Sequence, residues 1–245
     1  PYLAFIDAGI IPDKDWLLNF VNNCHNKNYD IIFGSVYFVT TNIFEESYAS
    51  TFFDKSVKKN YIMPSVASMF INKIIWKNLK GFPESIDGSY AVEDLRFINI
   101  IKKSKHSILY ESKARVNWII NLNLKTLFKR FLNNSLGGLK SGFYNTWHKG
   151  LVRNMIIFTL LLICANFFSN FFYLLIVFLL LLKSFFYLRF TDWFLKNSYS
   201  KKFIYLICTS LIFVIIDFAS FMGFVKWIFS GLPRSKDIER LKNKS

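Results

Sequence analysis

"MIIFTLLLICANFFSNFFYLLIVFLLLL", Met155 to Leu182, is 28 residues without one charge. A bilayer core takes about 20 apolar residues as a spanning helix, and a helix apolar on every side has no face to offer water. The run lies deep in the chain, so it is no cleaved signal peptide. It reads as transmembrane. Phe203 to Val225 is a second such run, interrupted by Asp217 alone.

The polar interruptions bear on how often the chain crosses. Asn166, Ser169 and Asn170 break the first run and allow a tight helical hairpin, each half near the lower limit for spanning. Bases flank the runs: Lys149 and Arg153 before the first, then Lys183, Arg189, Lys196, Lys201 and Lys202 against Asp192, then a basic tail after Lys226. The positive-inside rule asks for all three flanks in the cytoplasm. A hairpin in the first run satisfies the loop and leaves the tail outside; hairpins or re-entrant segments in both runs satisfy all three. The count stays open. Asp217 either lines a polar pathway or snorkels or pairs with Lys226 at its segment's end, and the second is the expected arrangement.

Of the 245 residues, 53% are hydrophobic and the net charge is +15. Residues 1–150 hold 19 Lys/Arg against 12 Asp/Glu, and residues 151–245 hold 12 against 4. The second part therefore combines nearly all the apolar density with half the excess charge, as membrane segments with basic flanks do. Phe, Ile, Asn and Lys are over-used together, the signature of an A- and T-rich genome, so basicity alone does not indicate nucleic acid. No recognition motif for it is present, and no nucleic-acid partner is expected. Cys24, Cys164 and Cys208 have no paired spacing, which predicts reduced thiols and no zinc site. His25, His106 and His148 are scattered and read as surface or loop residues.

Upstream of the apolar runs, "LNLKTLFKRFLNNSLGG" puts Leu124, Leu127, Phe128, Phe131 and Leu132 on one helical face. Lys125, Lys129 and Arg130 take the rest. Two readings are open: a helix lying in the membrane interface, or an amphipathic helix packed on its own domain. Gly137-Gly138 is expected to end it.

Residues 1–120 read as a mixed α/β domain. "YLAFID" is a buried strand, and "PDKDWLLNFVNNC" a helix burying Trp16, Leu17, Phe20 and Val21. "YDIIFGSVYFV" is strand, with Gly34 marking a bulge or a close approach. "INKIIWKNLKGF" is a helix ended by Gly81, and "AVEDLRFINIIKKS" a helix opening on acids and closing on bases. "SILYESKARVNWI" returns to strand. In such domains the chemistry sits where strands end. Asp7 is at such a place, and small Ala8 and Gly9 leave room beside it. Taken alone, Asp7 reads as a turn residue capping the next helix.

The ordered set "FIDAGIIPDKDWL", "MPSVASMFINKIIWKNLKGFPESI", "AVEDLRFINIIKK" and "YESKARVNW" resembles the family 2 glycosyltransferases of the GT-A fold. It looks most like their membrane-attached branch, which builds bacterial surface polysaccharides and glycolipids. The order of the motifs, more than any one of them, carries the resemblance. It implies a Rossmann-like α/β fold for residues 1–120, of which this would be the carboxyl-terminal part. The nucleotide-binding half that opens the family's domain has no counterpart before Pro1, so the chain is expected to be a fragment of a longer enzyme. Residues 121–150 would be the amphipathic interfacial helix and linker, and residues 151–245 an all-α transmembrane region.

The resemblance also implies a reaction: an inverting transfer of sugar from a nucleotide-sugar donor to a lipid-linked or glycan acceptor. Asp94 of Glu93-Asp94 would be the base that deprotonates the acceptor hydroxyl, and Glu93 would line the acceptor site. Asp7 would face the donor diphosphate and any Mg²⁺ or Mn²⁺. Here the chain departs from the family, because Asp7-Ala8-Gly9 has Gly9 where the second Asp of the Asp-x-Asp motif stands. Either Asp7 holds the metal alone with water and phosphate oxygens, or bases neutralise the diphosphate. Asp13 and Asp15, in the next helix start, are poor substitutes. The Gln-x-x-Arg-Trp motif of processive polymerases is missing too, which favours transfer of one sugar. The expected location is the bacterial inner membrane, with the catalytic domain on the cytoplasmic face. A small transporter or channel, or a non-catalytic membrane scaffold, are the competing readings.

Overall fold

Alternation of faces explains the sheet. Ile31 and Phe33 point into one apolar cluster and Ile32 into the other, and along the neighbouring strand Met69 and Ile71 alternate with Phe70 in the same way. The computed structural model describes residues 1–27, 29–52, 64–82, 93–140, 148–189 and 191–230. These form two compact units, one made of residues 1–41 with the described residues up to Asn121, the other of residues 42–52 with those from Leu122 onward.

The first unit holds β1 (Tyr2–Ile6), β2 (Ile10–Pro12), α1 (Trp16–Lys27), β3 (Ile31–Val39), β4 (Ser68–Asn72), α3 (Lys73–Asn78), α4 (Glu93–Lys103) and β5 (Ile108–Ile119); α2 (Ile43–Phe52) belongs to the second. The five described strands lie in the order β1-β4-β3-β5-β2. β3 and β5 are parallel, and every other pair is antiparallel. On one face Trp16 and Phe20 of α1 meet Phe70, Ala114 and Val116. On the other, Ile75 of α3 and Phe97, Ile98 and Ile101 of α4 meet β3 and β4.

Gly34 is both a bulge and a close approach. The β3–β5 register shifts after it, from Gly34 opposite Glu111 to Ser35 opposite Arg115. A Cβ at Gly34 would overlap Ser68 Oγ and the Ala114 carbonyl. Ser68 Oγ in turn accepts the Trp16 indole N–H at 2.9 Å, so the close approach ties α1 to the middle of the sheet.

The sequence expectation is departed from in several places: β2 takes up Pro12, where α1 was expected to start, β4 was not anticipated, and two helices differ. The helix expected from Ile71 starts at Lys73, because Ile71 is a fully buried strand residue and Asn72 caps the helix by accepting from Ile74 N–H at 2.9 Å. It ends in a Schellman arrangement, with Lys80 N–H on the Lys77 carbonyl and Gly81 N–H on that of Trp76. Lys80, at φ 61°, and Gly81, at φ 65°, both take left-handed backbone in that cap. The second difference is α2, which the sequence reading left unassigned. Asn42 Oδ1 accepts from Glu45 N–H at 3.0 Å, and Glu45 and Glu46 complete an acidic first turn.

The second unit adds α5 (Leu124–Lys140), α6 (His148–Phe167), α7 (Phe171–Leu188), α8 (Asp192–Lys196) and α9 (Tyr199–Phe229). Helices α6, α7 and α9 are long and apolar enough to cross a membrane. The 28-residue run is a hairpin, as its polar interruption allows. Asn166 donates to the Leu162 carbonyl at 2.8 Å and accepts from Tyr173 at 3.1 Å, and Ser169 Oγ accepts from Phe171 N–H at 3.2 Å. The side chains of Asn166 and Ser169 thus find their partners within the turn.

Helix α5 packs on α9 within this unit. Leu127 is fully buried, Phe128 lies 6.2 Å from Phe218, and Ser135 donates to the Ser220 carbonyl at 2.7 Å. Gly137 and Gly138 do not end the helix. They are buried within it, and it runs on to Lys140. His148 is also no surface residue: it opens α6, is buried, and meets Ser135 Oγ at 3.0 Å. Since Ser135 gives its proton to Ser220, the imidazole Nε2 is the donor in that contact. Asp217 pairs with Lys183 of α7 at 3.0 Å, not with Lys226. Antiparallel packing brings Lys183 across from it, a neighbour 34 positions away that no local pattern announces.

Candidate functional site

The site starts from the end of β1. Asp7 opens a four-residue turn in which Ile10 N–H returns to the Asp7 carbonyl at 3.2 Å. Gly9 holds the third position at φ 80°, the value a type II turn requires there and one that side-chained residues resist. Open space surrounds its missing Cβ. The departure at Gly9 thus has a backbone reason: β1 must reverse at once into β2, which pairs with β5 from Ile10↔Trp118 to Pro12↔Val116.

Helix α4 supplies the other half. Its Phe97, Ile98 and Ile101 are buried against the sheet face that Leu3 and Phe5 of β1 also cover. An aromatic cluster fixes the fit. Phe5 lies 4.6 Å from Trp76 and 5.7 Å from Phe82, and Phe97 lies 5.0 Å from Trp76 and 5.1 Å from Phe82. Phe5 is two residues before Asp7, and Phe97 one turn beyond Glu93-Asp94. The cluster therefore clamps the strand end that carries Asp7 to the helix start that carries Asp94.

Electrostatics records the juxtaposition. Loss of surrounding water pushes the Asp7 carboxyl above its ordinary value, and the negative charge of Asp94 pushes it further. Asp94 is exposed, and its Oδ1 accepts from Leu95 N–H at 2.7 Å. Glu93 is half-buried, and its Oε2 is out of reach of water without a hydrogen-bond partner among the described residues. Burial pulls the Arg96 guanidinium below its ordinary value, opposed by the charge of Glu93 one turn away. Arg96 was not singled out by sequence reasoning. The signal was there, since Glu93 and Arg96 are three apart on one helical face.

Asp13 is committed elsewhere. It accepts from Asn117 Nδ2 at 2.7 Å, and its backbone N–H bonds the Arg115 carbonyl. It fastens the start of α1 to β5 and does not replace the carboxylate that Gly9 lacks. Among the described residues no group of three or more His, Cys, Asp or Glu is gathered as a metal cage. Residues 83–92, with the Pro-Glu turn and the residues before Glu93, lie outside the described residues, as do the tail 231–245 and the side chain of His25.

No family model and no curated protein matches the chain.

Proposed function

We propose that the first unit carries the sugar-transfer site of an inverting, membrane-attached family 2 glycosyltransferase of the GT-A type. The observation that supports this is the juxtaposition of Asp7, at a strand end, with Asp94, at a helix start. Asp94, 87 positions away in sequence, lies within electrostatic reach of Asp7, and its charge raises the cost of ionising Asp7. A site built that way awaits something positive or something protonated.

In this reading Asp94 takes the proton of an acceptor hydroxyl as its oxygen attacks the anomeric carbon. The bond from that carbon to the nucleoside diphosphate breaks on the opposite side, which inverts the configuration. The exposed position of Asp94 suits a base that must meet an incoming acceptor. Glu93, with an unsatisfied buried oxygen, takes a hydroxyl of the acceptor sugar or lipid-linked glycan. Mg²⁺ or Mn²⁺ carried with the donor diphosphate would use Asp7 as its protein carboxylate and neutralise the leaving charge, since such ions keep water and phosphate as most of their ligands.

The location goes with this reading: the bacterial inner membrane, with the site on the cytoplasmic face. The α6–α7 connection carries no charge, whereas the helix ends at Arg153 and Arg189 are basic, as the positive-inside rule asks of a cytoplasmic flank.

The test is transfer by the full-length protein in membranes. Asp94→Asn should cut turnover on the order of a hundredfold or more while donor affinity barely changes. Asp7→Asn should weaken donor binding along with rate. Loss of activity in EDTA, restored by Mn²⁺ or Mg²⁺, would mean that Asp7 suffices to anchor the metal; indifference to EDTA would mean that the diphosphate is neutralised without it. Near-normal turnover in Asp94→Asn would overturn the assignment.

A further inference from the structure

Helices α6, α7 and α9 enclose a cavity of about 240 Å³. Its wall is sorted by chemistry. Phe158, Leu161, Ile176 and Leu180 line it with hydrocarbon, while Asn154, Lys183 and Asp217 supply its polar groups. Asn154 and Lys183 each lie about 20 Å along their helices from the hairpin connection, whereas Leu161 and Ile176 lie about 10 Å from it. The cavity therefore has a polar end toward the helix termini and an apolar end toward the hairpin turn. Ile157 is 46% exposed and Phe218 is 50% exposed, so the apolar wall opens to the surroundings of the bundle.

The polar end is unfinished. The Lys183–Asp217 pair is 3.0 Å long, with its side chains 31% and 29% exposed. Lys183 Nζ also lies 4.4 Å from the Phe213 ring centroid. An ion pair left open in apolar surroundings is costly unless a polar group reaches it. Arg153 is exposed at the rim, its guanidinium 3.4 Å from Oδ1 of Asn154, which lines the cavity. Two cations against one carboxylate leave a single positive charge at the mouth.

We propose that this cavity holds one anionic phospholipid of the bilayer, with a hydrocarbon chain against Leu161, Ile176 and Leu180 and the phosphate between Arg153 and Lys183. Basic pockets between membrane helices take anionic headgroups in this manner. The charge decides between lipids: a zwitterionic headgroup brings its own cation to a mouth that already has one to spare. The assignment does not rest on the sugar-transfer reading.

The test is native mass spectrometry of the full chain in neutral detergent, supplied with equal amounts of dioleoyl phosphatidylglycerol and dioleoyl phosphatidylcholine. One phosphatidylglycerol should be retained per chain, in preference to phosphatidylcholine. Arg153→Gln should reduce that preference about fivefold. Leu180→Trp fills the cavity and should cut retention of both lipids about tenfold. Leu161→Trp, on the facing helix, makes the same test if Leu180→Trp does not assemble. Equal retention of the two lipids by the unaltered chain would overturn the proposal. So would full retention by the tryptophan variant, or displacement of the lipid by glycerol 3-phosphate, which would make this a site for free phosphate.

Discussion

Asp7 is stabilised in its neutral form by its surroundings, and this has a measurable consequence for stability. Its folded-state carboxyl sits above the ordinary value because water is displaced and Asp94 is near. A raised carboxyl favours the protonated form in the fold, so ionisation of Asp7 at neutral pH works against folding. Asp7→Asn removes that ionisation. It should raise Tm at pH 7, and the gain should fade as pH drops through the carboxylate range, where Asp7 is protonated in both states. Thermal melts of the two proteins from pH 7 to pH 3 check this. A gain that persists unchanged at pH 3 would point to a cause other than charge. At this scale the sequence showed that Asp7 ends a strand and that Asp94 opens a helix. Their meeting depends on Phe5, Trp76, Phe82 and Phe97 closing on one another, contacts that no spacing encodes.

Among the elements, β3 shows how one residue sets a sheet. Gly34 lies where Ser68 of β4, Ala114 of β5 and Phe20 of α1 converge. A methyl group there meets a backbone carbonyl that cannot turn aside. Gly34→Ala should destabilise the first unit by about 1–3 kcal/mol or more, the range for forced overpacking, read as a fall in denaturation midpoint. Ala at the neighbouring half-buried Val36 serves as the control and should cost less. Strand and helix types were legible from periodicity for β1, α1, β3, α4 and β5. Of the elements not anticipated, β2, β4, α2 and α8, two are nearly fully buried, β4 and α2, and a buried strand lacks the alternation that marks a half-exposed one. Helix α5 had an unmistakable apolar face, yet two surfaces would accept such a face. Its packing on α9 decides which of them it covers.

Across the whole molecule, three apolar helices fit a membrane protein. α6 and α7, of 20 and 18 residues, match the ~30 Å hydrocarbon core. At 31 residues, α9 reaches about 46 Å and exceeds it. Near its amino end Tyr205 donates to Glu46 of α2, a polar contact suited to the part of the helix beyond the hydrocarbon. On its other side Ile207, Leu211 and Met222 stay exposed, as a lipid-facing stripe does. The chain should stay with membranes through high salt and alkaline carbonate and leave them only with detergent. Its appearance in a salt wash would remove the membrane reading.

The sequence by itself determined that the second part holds helices apolar and long enough to cross a membrane, and the mixed α/β character of the first part, because each is written in neighbouring residues: a run without charge, or a period of two or 3.6. Only the tertiary structure decided the partner of Asp217, the burial of His148 and the approach of Asp94 to Asp7. Each joins residues distant in sequence, through packing of whole faces, and the contact exists only once those faces have closed.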